Sequence, residues 1–157
     1  MAFWRAGSAA RASGFPRLLR PRPAYIIAGD HDVLSRNEAA GEPFPNLAAT
    51  QERPANLARR TFLEPAAREI AVDREREALA RLRTLAARHP GDPHHTRLID
   101  DLHAGSEQVR AGWPRYDVRV RQGGRKPLRP PGREPAEFVY TAFHLAEQPE
   151  LTLVAYT

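Results

Sequence analysis

A chain of 157 residues with no cysteine suits one domain with a real apolar core, and it excludes a disulfide framework, a thiolate nucleophile and any Cys-containing zinc site. The net charge of +5 and pI near 10.4 point to anionic partners, but every basic residue except Lys126 is arginine, and this bias accompanies abundant Ala and Pro, which weakens the case for nucleic acid. No apolar run approaches the roughly 18 residues that cross a bilayer, so no membrane partner is expected and a reducing cytoplasm is the expected compartment.

Residues 1–29 contain Arg5, Arg11, Arg17, Arg20 and Arg22 and no acidic residue, the composition of a transit peptide. Pro16, Pro21 and Pro23 would interrupt an amphipathic helix there, so residues 1–22 are expected to be a poorly ordered leader and 23–157 the domain. Ala24 to Ala28 favours a strand, Gly29-Asp30-His31-Asp32 a turn, and Val33-Leu34 a return strand. A short helix can start at Asn37, and irregular chain follows through Gly41, Pro43 and Pro45. Leu57, Ala58 and Phe62 recur at helical spacing, and a long helix is expected from Pro65 to about Arg88, with Ala78, Leu79, Leu82 and Leu85 in its apolar stripe and Glu77 to Arg81 as a surface pair. Asp92 can cap a helix from Pro93, burying Leu98, Ile99 and Leu102, and Ser106 can cap a shorter one through Val109 to Trp113.

Beyond Pro114 the period changes to two. Val118 and Val120 alternate with Arg119 and Arg121, Gln122-Gly123-Gly124 is expected to turn the chain, and Lys126 and Leu128 lie on the return strand. Phe138, Tyr140 and Ala142 alternate with Val139 and Thr141, and Leu151 to Tyr156 closes the chain as a strand. Strands at both ends with helices between them predict an α+β fold, one antiparallel sheet with helices packed on one face.

Asn56-Leu57-Ala58-Arg59 with Phe62, Pro65-Ala66-Ala67-Arg68-Glu69, Leu82-Arg83, Ala86 through Pro93, Ser106 with Trp113, Tyr116-Asp117-Val118-Arg119 and the closing Tyr156-Thr157 occur in an order and spacing that resembles the ligand-binding domain of MmyB-like transcription regulators. That resemblance implies a PAS-like sheet-and-helix sandwich that senses an apolar, fatty-acyl-like small-molecule effector, with no cofactor and no catalysis. It also implies a homodimer that meets DNA only through a helix-turn-helix domain, which residues 1–22 are too short to form. The expected effector-binding set is Tyr25, Ile27, Arg59, Phe62, Leu82, Trp113, Val118, Val120, Phe138, Tyr140 and Leu153. Tyr25, Tyr140 and Arg59 are the groups expected to face a carboxylate. For any single member of that set taken alone, a place in the core between sheet and helices is the better reading.

Other chemistry finds little support. His89, His94, His95 and His103 lack a Glu-x-x-His or His-Glu-x-x-His arrangement, so no metal is expected. Ser35 and Ser106 lack a nucleophile elbow, so no enzyme is expected. Gly123-Gly124 followed by Arg125 and Lys126 lacks the helix of a P-loop, because Pro127 and Pro130 forbid one. The arginines between Arg119 and Arg133 keep open a different class, a basic nucleic-acid-binding or interaction ribbon, and an inactive remnant of a regulator is a third reading. Contacts from one basic strand are non-specific and screened, so the chain should give no sequence-specific DNA retardation at about 150 mM salt. Nanomolar binding to one sequence that persists through a salt titration would favour the ribbon instead.

Overall fold

The computed structural model describes residues 12–41, 55–64, 74–113, 123–128, 134 and 136–157. The β-favouring run after Pro23 forms β1 (Ala24–Ile27), which turns at Gly29–Asp32 into antiparallel β2 (Val33–Arg36). At the other end of the chain, β3 (Gly123–Leu128), β4 (Ala136–Leu145) and β5 (Gln148–Tyr156) complete an antiparallel sheet of order β2-β1-β5-β4-β3. The first and last strands therefore meet at the centre. The alternation read from Phe138 to Ala142 extends through Leu145, and the two residues Ala146 and Glu147 connect β4 to β5.

Gly123 and Gly124 are not a turn: they lie within β3, opposite Thr141 and Tyr140. The sheet edge explains the departure, because an edge strand accepts residues that a central strand rejects. Pro127 is tolerated in the same strand for that reason, since its missing N–H need serve no neighbour. Val118 and Val120 lie outside the described residues, as do Pro65 to Asp73 of the expected long helix.

Between the strand groups come helices α2 (Glu38–Gly41), α3 (Leu57–Leu63), α4 (Arg74–Arg88), α5 (Pro93–Gly105) and α6 (Glu107–Gly112), preceded by the short α1 (Phe15–Leu18). Gly91, at φ +81, turns the chain after α4 in a conformation that favours glycine. Asp92 accepts from the N–H groups of His94 and His95, and Ser106 from that of Val109, so both expected caps form.

Pleating sorts the sheet residues. Tyr25, Ile27, Tyr140, Val154 and Tyr156 face the side that carries Ala40 and Leu57. Ile26, Ala28 and Leu151 face the opposite side, where Ala12 packs. A third cluster is purely helical: Ala58 and Phe62 from α3, Ala78, Leu79 and Leu82 from α4, Leu98 and Leu102 from α5, and Val109 from α6. The architecture is thus α+β, consistent with a PAS-like sheet and helices, but with two apolar cores on the helical side. Helix α3 joins them, giving Leu57 to the sheet core and Ala58 and Phe62 to the helical one.

Asp92 bears on the stability of the helical core. The N–H of His95, above all, holds its carboxyl below the usual carboxylate range, partial burial opposes that, and the charge of His95 and the N–H of His94 add to the lowering. A pKa lowered by folding stabilises above the unfolded value of about 3.9 and loses that contribution as pH falls through the lower folded value. Asp92→Ala should therefore cost about 1 kcal/mol at pH 7, roughly 3 °C in Tm. The difference from the parent should shrink below about pH 4 in thermal melts.

Candidate functional site

The β1–β2 turn is built around buried polar groups. His31 sits at φ 68, a left-handed conformation uncommon for a side-chain-bearing residue. Its neighbours Asp30 and Asp32 are both buried. Asn56 Nδ2 donates to the Asp30 carbonyl and to Asp32 Oδ1, each at 2.8 Å. Its Oδ1 accepts from the N–H of Arg59 at 3.0 Å, capping α3. Two backbone bonds flank this knot, Val33 N–H to Ala55 O at 2.7 Å and Leu57 N–H to His31 O at 3.0 Å. One carboxamide thus fixes the turn to the helix that links both cores.

A cleft opens beside this knot, between the sheet and helices α3 and α4. Tyr25, Ile27, Tyr140, Ala142 and Val154 form its sheet wall, and Leu57, Thr61, Ala78 and Arg81 its helical wall, with His31 at the turn. Its volume is about 50 Å³, room for a few water-sized spheres and below the roughly 300 Å³ at which pockets for drug-sized ligands begin. Polar groups occupy two sides. The hydroxyls of Tyr25 and Tyr156 lie 3.2 Å apart, within a ring cluster in which Tyr140 and Phe138 approach Tyr156 at 6.0 and 6.2 Å. Across the cleft Arg81 Nη2 donates to Thr152 Oγ1 at 3.2 Å, and that hydroxyl lies 3.3 Å from His144 Nδ1. The cleft can hold a small apolar group between the Tyr25 and Tyr140 side chains and the Arg81 guanidinium.

A family model described as MmyB-like transcription regulator ligand binding domain matches residues 17–157. The chain belongs to that family. It is therefore a ligand-sensing domain of the transcription-regulator type, and the family implies a small-molecule effector. A search of curated proteins gave no significant match. Among the described residues no helix is long and apolar enough to cross a membrane.

In this MmyB-like domain the expected site residues fall into separate groups. Tyr25, Ile27 and Tyr140 line the cleft together, and Phe138 packs on the same core through Tyr156. Phe62 and Leu82 are buried in the helical core, with Trp113 against it and edge-on to His103 at 5.0 Å. Leu153 faces the other side of the sheet. Arg59 does not line the cleft and forms an ion pair with Asp101 at 2.8 Å. Val118 and Val120 lie outside the described residues, as do Arg119, Arg121, Arg129 and Arg133 of the basic ribbon.

The cleft cation that sequence reasoning missed is Arg81, which was assigned to a surface pair with Glu77. The signal was present: Arg81 lies three residues beyond Ala78 and next to Leu82, at the border of the apolar stripe. His31 and Thr61 were likewise missed, the first because a turn residue carries no periodicity. Replacing Asn56 with Ala should remove the cap and leave a buried carboxylate and carbonyl short of their donor. The expected loss is about 3 kcal/mol, measured by urea denaturation. A loss below about 0.5 kcal/mol would show that the knot is not a structural tie.

Proposed function

We propose that the chain is the effector-sensing part of a bacterial, cytoplasmic transcription regulator, acting as a homodimer without cofactor or catalysis, and that its effector is an apolar, fatty-acyl-like molecule with an anionic head. One observation carries this reading. The cleft lies between two otherwise separate apolar cores, with aliphatic and tyrosine walls and the half-buried Arg81 at one side. A guanidinium in that position can exchange its bond to Thr152 for a bidentate pair with a carboxylate. The acyl chain would lie against Ile27, Leu57 and Val154.

At about 50 Å³ the cleft holds no more than a fragment of such a chain, so binding requires the helical layer to move from the sheet. That requirement supplies the signal. A ligand that binds only the opened arrangement shifts the population toward it, and α3 carries the displacement into the helical core. Contact with DNA would belong to a separate helix-turn-helix domain.

Decanoate, kept below its micellar concentration, should raise the Tm of the purified domain. Occupancy at about 100 times Kd corresponds to about 2.7 kcal/mol. The shift should exceed that from decanol, and Arg81→Met should remove the difference between the two, while Arg59→Met leaves it intact. Tyr140→Ala should change the shift more than Leu79→Ile in the helical core. If no acyl compound moves the melt, and native mass spectrometry of fresh protein finds no co-purified lipid, the acyl reading is wrong.

A further inference from the structure

We propose that Asp30, Asp32 and His94 form a binding site for one first-row divalent cation of the zinc or manganese kind, at the rim of the cleft. The expectation of no metal rested on histidine spacing alone, and two of these three residues are aspartates from a distant turn. Asp30 and Asp32 flank His31, whose left-handed backbone folds the turn so that both carboxylates point toward the start of α5. His94 Nε2 lies 2.9 Å from Asp30 Oδ2 and 3.6 Å from Asp32 Oδ2. One ligand atom from each residue falls within 4.8 Å of the others. Neighbouring ligands on a cation with bonds of about 2.1 Å are about 3.0 Å apart at octahedral angles and about 3.4 Å apart at tetrahedral ones. The two His94 separations bracket that interval, and the two carboxylate oxygens, within 4.8 Å of each other, complete a set that one ion can draw together.

The outer hydrogen bonds match what such a site needs. Asp30 Oδ1 accepts from the N–H of Asp32 at 3.2 Å, and Asp32 Oδ1 accepts from Asn56 Nδ2 at 2.8 Å. Each carboxylate is thereby oriented by one oxygen while the other faces the imidazole. The Asp92 cap fixes the backbone of His94, whose N–H donates to Asp92 Oδ1 at 2.9 Å. The carboxylate side chains are 1% and 7% exposed, whereas that of His94 is 53% exposed. The protein thus supplies one hemisphere of ligands and leaves an open side where water completes the shell. Two carboxylates and a neutral imidazole balance a divalent ion, and the mixed oxygen and nitrogen set suits zinc or manganese better than calcium, which takes six to eight oxygens. An ion there would also clamp the turn that presents His31 to the cleft.

The test uses the full chain stripped with a chelator, titrated with zinc chloride by calorimetry at pH 7.5 and with Mn²⁺ by electron paramagnetic resonance. One ion should bind per chain, and zinc should raise the Tm. His94→Gln keeps an amide donor beside Asp30 at a half-exposed position, so the fold should survive, as circular dichroism would show. Zinc affinity should fall at least about tenfold in this variant. His89→Gln and His103→Gln should leave it unchanged. No heat or Tm change up to about 100 μM zinc, well above the apparent affinities of built sites, would overturn the proposal and leave His94 as an ion-pair partner of the two aspartates. So would binding that His94→Gln does not alter, which would mark an adventitious ion on other surface histidines.

Discussion

The bonds of the Asn56 carboxamide hold the two halves of this domain in one arrangement. A sheet and a helical layer could slide past each other while keeping most of their apolar contact, because hydrophobic burial has no direction. Asn56 supplies the direction. It fastens the β1–β2 turn by two donor bonds and starts α3 by one acceptor bond, so the helix begins at a fixed point relative to the sheet. Asn37 does comparable work at the other end of the hairpin. Its amide donates to the carbonyls of Pro16 and Arg22, and its oxygen accepts from Ala24 and Ala40. Both residues are almost fully buried, and buried polar groups with satisfied bonds specify one geometry more sharply than apolar filler does.

With those anchors set, the rest of the helical side divides. Leu57 looks into the sheet core, and Ala58 and Phe62, one and five residues on, look into the helical core. A seven-residue helix that serves two cores cannot bury every side equally, and the cleft lies along its seam. Arg83 Nη2 donates to the Gly112 carbonyl at 2.9 Å, tying α4 to the end of α6, so the helical layer is held together internally by more than packing. Each layer thus has its own core, while the Asn56 bonds and the bond from Arg81 to Thr152 tie the layers to each other.

Much of the architecture was legible in the sequence, for identifiable reasons. Asp92 and Ser106 stand before Pro93 and Glu107, and a capping side chain acts over two or three residues, so local reading suffices. The hairpin of β1 and β2 and the final strand also follow from local β-favouring runs. The partition of the apolar residues did not. Periodicity shows that Phe62 and Leu82 face inward, as Tyr25 and Ile27 do, but it contains no information on which interior each enters. Four residues of one expected set thus belong to two cores. Arg59 and Arg81 show the same limit for charge: only the pairing of Arg59 with Asp101 from α5 reveals that it is engaged elsewhere. Gly123 and Gly124 read as a turn because the sequence does not disclose that their strand forms an edge.

The turn at His31 was the least legible feature and connects the most. A positive φ at a histidine costs on the order of 1 kcal/mol, and such a conformation persists only where its surroundings over-determine it. Here they do: the N–H of His31 bonds to Ala28, its carbonyl accepts from Leu57, and the residues on both sides are held by Asn56. The same conformation places His31 against the cleft and its two aspartate neighbours against His94. Strain, cleft and carboxylate cluster therefore share one set of constraints. A movement of α3 that opens the cleft must pull on the Leu57 to His31 bond, and so on the positions of both carboxylates. Any group that fixes those carboxylates would resist that pull, so the proposed effector cleft and the proposed cation site would be coupled through a single turn.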